Sequence, residues 1–419
     1  MAIKRIMVLA GGPDQAALIR EIKHHIPDSF VVLVDMNSKV VASKEADKHL
    51  VISTMDFDRV RQAIKDENID IILTACGDQP LLTVGILSEE FKLPCYLTKD
   101  QLLALTNKKL MKRIMIENDI PTSKYKTFDT IEKIDTEGLS YPLIVKPVDS
   151  NGSKGVRKVE KEDDLMEAAK DAISFSISHN IIVEEFVEGE DVSSDFYIVD
   201  GKAVHVMDCL SNKYKPDNEI AVIYQSIIPP PLSPKVKERI QDVAQRIAEV
   251  YGIDNSPLLI QTIVHGDNFK VIEFSARLGG GAKYKTIETV TGFNVLQANL
   301  LSMLGEKPKI KIKNPEKKYS RCHLYTTGGT LKSIIGLEES LSAGLIEDYV
   351  IIRTPGSSLS SPKSSGDRVG SVLVSGENME ELGNKIRKVI DSIRVINEDG
   401  KDILLREMYS NTLKNAFGF

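Results

Sequence analysis

The chain has 419 residues, 27% of them charged, and a net charge of −6; the length supplies two or three domains with sizeable cores. Without a basic block a nucleic-acid partner is not expected, and no apolar run approaches the roughly 18 residues of a membrane span, so no membrane partner is expected either. The apolar stretch Ile6 to Ala10 is too brief for a signal peptide, and Cys76, Cys95, Cys209 and Cys322 are scattered without metal-ligand spacing, which reads as a reduced, cytoplasmic protein.

Residues 1–103 alternate short apolar runs with amphipathic ones. Ile6 to Ala10 is followed by Leu18, Ile19, Ile22 and Ile26 at helical spacing, then by Val31 to Asp35 and later by Ile69 to Ala75. That alternation predicts an open parallel sheet with crossover helices. Gly11-Gly12-Pro13 closes the first strand and opens a helix, with proline near its first position. Asp35 stands where dinucleotide-binding folds carry a ribose acid, so a nicotinamide site is one reading, although the full Gly-x-Gly-x-x-Gly fingerprint is absent.

Residues 104–304 hold the charged clusters. Tyr141 to Pro147 reads as a short buried strand carrying one lysine, Lys146, near its end. The next stretch, Val148 to Val156, is a loop of small residues (Ser150, Asn151, Gly152, Ser153, Gly155) whose backbone N–H groups can wrap phosphate oxygens. An ordinary β-turn would look the same. Downstream, Ile181 to Ser193 passes from a buried strand through Glu184, Glu185, Phe186 and Val187 to Asp191. Such a connection offers backbone hydrogen bonds to a flat base and carboxylates to sugar hydroxyls. Pro234 to Tyr251 predicts a helix with Val236, Ile240, Val243, Ile247 and Val250 along one buried stripe.

The strand Val271 to Arg277 runs into Gly279-Gly280-Gly281 and places Glu273, Ser275 and Arg277 on one face, neighbours roughly 7 Å apart. Charges on so apolar a strand need partners. A divalent cation on Glu273 and a phosphate-like anion on Arg277 would supply them; a surface hairpin with solvated charges is the bland alternative. A three-residue loop, Gly266 to Asn268, after the strand Leu259 to Val264 would set Gln261 opposite Glu273, so that both oxygens reach one ion.

From Lys307 onward a Lys/Pro/Asn-rich linker leads into a smaller α+β unit, with turns at Gly328-Gly329, Gly356-Ser357-Ser358 and Gly366-Asp367-Arg368 and an amphipathic helix over Met379 to Val395. Ser357 to Ser365 reads as a mobile surface loop. The seven histidines are dispersed, which argues against a histidine-centred mechanism.

The order of these clusters resembles the ATP-grasp superfamily, in the style of carboxylate-amine ligases and the synthetase domains of carbamoyl-phosphate synthase. The resemblance implies an α/β and α+β architecture: a Rossmann-like pre-ATP-grasp domain (1–103), an ATP-grasp domain (104–304) with a lid at about 115–185, and a small C-terminal α+β domain (305–419). It implies ATP and magnesium, with manganese as a substitute. Lys108 and Lys146 match the two ATP lysines, with Asn107 where an Asp usually precedes the first. Ser150 to Gly155 match the phosphate-covering loop, Glu184 to Val187 the adenine hinge, and Asp191 the ribose ligand. Gln261 and Glu273 match metal positions, Arg277 and Lys146 the catalytic pair, and Ser275 a second metal ligand that is usually Asn. The strand ends Gly11, Gly12, Asp35, Asn37, Gly77 and Asp78 would face substrate, and Tyr214, Lys215, Tyr224, Gln225 and Pro229 to Pro231 would help build the acceptor pocket.

The function so implied is ATP-dependent activation of a small carboxylate as an acylphosphate and its coupling to an amine, with small-molecule partners and a homodimer as the default assembly. Three alternatives stand beside it: a carboxylase or carbamoyl-phosphate-synthase-like enzyme using bicarbonate, an NAD(P)-binding oxidoreductase, and a non-catalytic nucleotide-binding subunit.

Overall fold

The computed structural model describes residues 4–150, 155–214 and 221–410. The first apolar runs form a four-stranded sheet in which Arg5–Leu9 pairs in parallel with Phe30–Val34 on one side and Ile71–Leu73 on the other, and Lys48–Leu50 completes the far edge. Helix Pro13–His25, with proline in its first turn, buries Leu18, Ile19 and Ile22 against this sheet. The expected parallel architecture is therefore present.

The remaining strands are antiparallel. An eight-stranded sheet runs in the order Asn268–Ser275, Ser256–His265, Glu190–Val199, Lys202–Tyr214, Val222–Ile228, Lys318–Leu324, Gly370–Gly376, Asp348–Ile351. The last three belong to the tail, so the segment beyond residue 305 extends the central sheet instead of standing apart, although it keeps its own core around Tyr325, Val372 and Ile386. A separate sheet orders Tyr125–Phe128, Ile181–Glu185, Leu143–Pro147 and Arg157–Val159, backed by helix Leu165–Ser174 through Leu165, Ala168, Ala169 and Ala172.

Several local expectations need correction. The hairpin loop has two residues, Gly266 and Asp267, because His265 pairs with Asn268; a bulge beyond Gln261 then restores the pairing of Gln261 with Glu273. Helix Pro234–Tyr251 forms over the expected span, capped by Ser233, but Val250 is exposed and Ala244, Ala248 and Tyr251 take the buried stripe. The late helix stops at Ser392, since Arg394–Asn397 is needed as a strand beside Gly329–Ile335. The serine-rich loop is pinned: Asp367 accepts from Ser360 Oγ at 2.7 Å and from the N–H groups of Lys363 and Ser364 at 3.0 and 2.7 Å. No helix among the described residues is long and apolar enough to cross a membrane.

Candidate active site

Where the parallel sheet, the long antiparallel sheet and the sheet of residues 125–185 meet, they enclose a cleft of about 820 Å³. A parallel bridge between Cys76 and Leu278 ties the end of the first sheet to the turn after the Glu273 strand. The cleft brings together Lys108, Lys146, Ser150, Glu184, Glu185, Phe186, Val187, Asp191, Gln261, Glu273 and Arg277. Asn151, Gly152 and Ser153 lie outside the described residues, while Gly155 takes φ +70° with Pro147 and Phe175 against it.

At one end, Lys108 opens helix Lys108–Glu117 behind the Asn107 cap. Its Nζ donates to the Ser150 carbonyl at 2.7 Å and stands 3.8 Å from Glu273 Oε2, so a single ammonium bridges the small-residue loop and the acidic strand. Gln261 and Glu273, paired across the hairpin, offer two oxygens to this space. No group of three or more His, Cys, Asp or Glu suited to a metal occurs among the described residues. A hard cation that keeps waters and takes phosphate oxygens needs only one or two protein donors, so this sparse set fits magnesium and does not fit a closed structural metal.

Lys146 is buried and contacts the Glu184 carboxylate. Glu184 also accepts from Lys112 Nζ at 2.7 Å and Ser123 Oγ at 2.9 Å. Burial would raise this carboxyl, but the charges of Lys146 and Lys112 outweigh it and bring Glu184 down to about 2. Burial also lowers Lys112 to about 8 despite its pairing with Glu184. Two lysines around one carboxylate leave a net positive charge, which suits an arriving phosphate. Glu184 is thus a buried anchor for Lys146, whereas Glu185 accepts from the Ser140 N–H at 3.1 Å and Phe186 lies half-exposed beneath Lys158 Nζ, 4.2 Å from its ring centroid. Asp191 contacts Lys213 Nζ at 2.5 Å.

Arg277 is held by Asp78 through two parallel bonds, Nε to Oδ1 at 2.6 Å and Nη2 to Oδ2 at 2.7 Å, and Nη1 donates to the Leu278 carbonyl at 3.0 Å. Ser275 Oγ donates to the same Asp78 oxygen at 2.7 Å. The partner of Arg277 in this structure is accordingly a carboxylate from the helix Asp78–Phe91 of the first domain; the sequence set a phosphate-like group against Arg277 and named Asp78 only as a strand end facing substrate. Burial acts to raise Asp78, yet the guanidinium holds it at about 2. A bidentate pair of this kind fixes the plane and direction of the guanidinium.

Of the other strand ends, Gly77 lines the cleft, whereas Gly11, Gly12, Asp35 and Asn37 do not; Asp35 instead accepts from the Asn37 N–H at 2.8 Å. Of the expected acceptor-pocket residues, Tyr214, Tyr224, Gln225 and Pro229 to Pro231 do not line the cleft. Tyr224 packs on Tyr409, Gln225 bonds to Asn212 and Ser320, and Tyr214 donates to Glu407, while Lys215 lies outside the described residues. The same strands contribute Ile223, Ser226 and Ile228 to the cleft wall. Sequence reasoning passed over Asp14, Lys112, Arg321, His323 and Arg368. Lys112 carried a faint signal, a lysine beside Met111 on an amphipathic helix; Asp14 opens a helix where an acidic residue is ordinary, and Arg321, His323 and Arg368 sit on or beside apolar strands with nothing to single them out.

Comparison with known proteins places this geometry. Residues 139–285 match the model of an ATP-grasp domain and residues 323–398 that of the L-amino acid ligase C-terminal domain 2. The formate-dependent phosphoribosylglycinamide formyltransferase of Sulfurisphaera tokodaii is 24% identical over 94% of this chain and 97% of its own. Among solved structures, the L-amino acid ligase of Bacillus licheniformis superposes with a TM-score of 0.76 at 20% identity, covering 94% of this chain and 99% of that one. The biotin carboxylase domain of the Hydrogenobacter thermophilus 2-oxoglutarate carboxylase, solved with MgADP and bicarbonate, gives 0.77 at 14% identity, covering 99% and 98%.

Proposed function

The chain belongs to the ATP-grasp superfamily of ligases, and we propose that it activates a small carboxylic acid with ATP as an acylphosphate and couples it to an amine, releasing ADP and phosphate. In this reading residues 1–103, 104–304 and 305–419 are the three domains, and the sheet of residues 125–185 is the lid. The observation that supports it most is the convergence of Lys108, Lys146, Gln261, Glu273 and Arg277, drawn from one helix and two different sheets, on one cleft.

A carboxylate oxygen of the acid attacks the γ-phosphorus, the bond to the β,γ-bridging oxygen breaks, and ADP leaves. Nucleophile and target are both anionic, so the protein's work is to neutralise and align them. Lys108 and Lys146 contribute cations at the phosphates. When Lys146 turns from Glu184 to a phosphate, Lys112 stays behind to compensate the buried carboxylate, which spares the cost of leaving it unpaired. Arg277, aimed by Asp78, spans the transferring phosphoryl group and the acyl oxygen. Magnesium, or manganese in its place, would be held by Gln261 and Glu273 and would neutralise phosphate charge. Ser275, engaged by Asp78, would meet a second cation through water. Glu185 to Val187 would receive the adenine and Asp191 the ribose. The loop from Ser150 to Gly155 would cover the phosphates and exclude water. The amine nitrogen then attacks the acyl carbon, the C–O bond to phosphate breaks, and one proton leaves the nitrogen.

The test is ADP release against a panel of acids with hydroxylamine as the trapping amine. A hydroxamate identifies the acid. ADP release that depends on bicarbonate and needs no amine would instead favour the carboxylase reading, which nothing in the cleft specifically favours.

A further inference from the structure

Amide formation needs a proton acceptor, because an alkylamine near neutral pH is an ammonium, with a pKa of about 10 like that of a lysine, and has no free lone pair. Four of the carboxylates lining the cleft already face a lysine. Glu184 meets Lys146 and Lys112, Glu185 lies 3.7 Å from Lys124, Asp191 lies 2.5 Å from Lys213, and Glu273 lies 3.8 Å from Lys108. Asp14 also lines the cleft but has no ion pair among the described residues, and Arg368 stabilises its charge less than its hydrogen bonds do. It stands in the first turn of helix Pro13–His25, is 5% exposed, and accepts from the N–H of Ala282 at 3.2 Å, at the end of the glycine turn that follows Arg277. The Cys76 thiol contacts this carboxyl and also feels the charge of Arg277, and Cys76 bridges in parallel to Leu278. Asp14 is thus one side chain removed from the guanidinium that would span the transferring phosphoryl group and the acyl oxygen. His323 is the rival base: it is 4% exposed, and its Nδ1 has no hydrogen-bond partner among the described residues. Burial and the charges of Arg368 and Arg321 hold that imidazole neutral. A ring facing two guanidinium groups resists a proton, whereas a buried carboxylate without a cation gains by taking one.

We propose that Asp14 is the general base of the amide-forming step, taking from the incoming ammonium the proton that blocks its lone pair. This assignment rests on the ligase reading above. One N–H bond breaks, its electron pair stays on nitrogen, and the proton passes to the Asp14 carboxylate. Nitrogen then bonds to the acyl carbon, the C–O bond to phosphate breaks with its electrons going to the phosphate, and a second amine proton leaves with that phosphate. Asp14 returns its own proton to solvent. Burial raises this carboxyl to about 6 against the Ala282 N–H, Cys76 and Arg368, which narrows its gap to the amine. Cys76, Tyr284 and Arg368 are the titratable and charged groups that face it.

The experiment sets two amines of nearly one shape in competition: ethylamine, an ammonium up to about pH 10, and methoxyamine, already neutral by about pH 6. The acid is the one identified by hydroxamate formation, held at saturation. Both amines draw on the same acylphosphate, so the ratio of ethylamide to methoxyamide isolates the amide-forming step. In the native protein the ratio should rise with pH up to about 6, as Asp14 ionises, and then level off. Asp14→Asn keeps an oxygen for the Ala282 N–H but accepts no proton; its ratio should be about 100-fold lower near neutral pH and keep climbing about tenfold per pH unit, because only free ethylamine reacts. Asp14→Glu should restore part of the plateau. A native ratio that also climbs without levelling, a ratio unchanged in Asp14→Asn, or methoxyamide without any ethylamide overturns the assignment. Should Asp14→Asn fail to fold, the native profile decides. Methoxyamide with the wrong profile refutes this inference alone, whereas neither methoxyamide nor hydroxamate with any acid refutes the ligase reading beneath it.

Discussion

At the scale of single residues, the site is a set of buried charges whose partners decide what they can do. Arg277→Ala removes the group proposed to stabilise the transferring phosphoryl; turnover should fall on the order of 10²- to 10³-fold while ATP still raises the melting temperature, and near-normal turnover would refute the role. Asp14 gives a pH signature. Burial raises its carboxyl to about 6 against the helping Ala282 N–H, with Cys76, Tyr284 and Arg368 facing it. Because the folded value exceeds the unfolded one, ionisation costs stability above about pH 6 and the cost vanishes as pH falls below the unfolded value, about 4. Asp14→Asn should therefore stabilise the protein by roughly 2–3 kcal/mol at pH 8 and by almost nothing at pH 3, measured by urea unfolding; a pH-independent difference would contradict the assignment. Lys146, Glu273 and Arg277 were legible in the sequence because a charge on an apolar strand demands an explanation. Asp78 was marked only as a strand end facing substrate; its pairing with Arg277 was not legible, since the two lie 199 residues apart and nothing local announces the pair.

At the scale of elements, periodicity marked what the chain would form and tertiary pairing decided where it stopped. Helix Pro234–Tyr251 was readable from its stripe and its serine cap, whereas the end of helix Met379–Ser392 was not, because Arg394–Asn397 is claimed by a strand far away in sequence. The hairpin carrying Gln261 and Glu273 reached its expected pairing by a shorter loop and a bulge, which no spacing rule distinguishes from a longer loop. Lys112 couples two elements, joining helix Lys108–Glu117 to strand Ile181–Glu185 through Glu184. Lys112→Met should leave Lys146 as the sole cation on that carboxylate and raise KM for ATP about tenfold with a smaller change in kcat; an unchanged KM would show that Lys146 needs no relief. Gly189, between strand Ile181–Glu185 and strand Glu190–Val199, has φ +147° and a Cβ there would meet the Val264 carbonyl oxygen at 2.4 Å. Gly189→Ala should cost on the order of 2 kcal/mol or more in urea unfolding, and a neutral effect would mean that the edge yields freely.

At the scale of the whole molecule, the three sheets matter because each contributes charges that none could use alone. The helices on the first sheet bring Asp14 and Asp78, the sheet of residues 125–185 brings Lys146 and Glu184, and the long sheet with the turn before its strand Gly370–Gly376 brings Gln261, Glu273, His323 and Arg368. The parallel first domain was readable from its alternating runs, but the merging of the tail with the central sheet was not, since strand order depends on pairings that the sequence does not encode locally. The most direct measurement is hydroxylamine-trapped acylphosphate formation by the full chain with MgATP across a panel of carboxylic acids. The account predicts hydroxamate and ADP in equal amounts with at least one acid, lost together in Arg277→Ala; ADP release without hydroxamate from any acid, or hydroxamate undiminished in that variant, would contradict it.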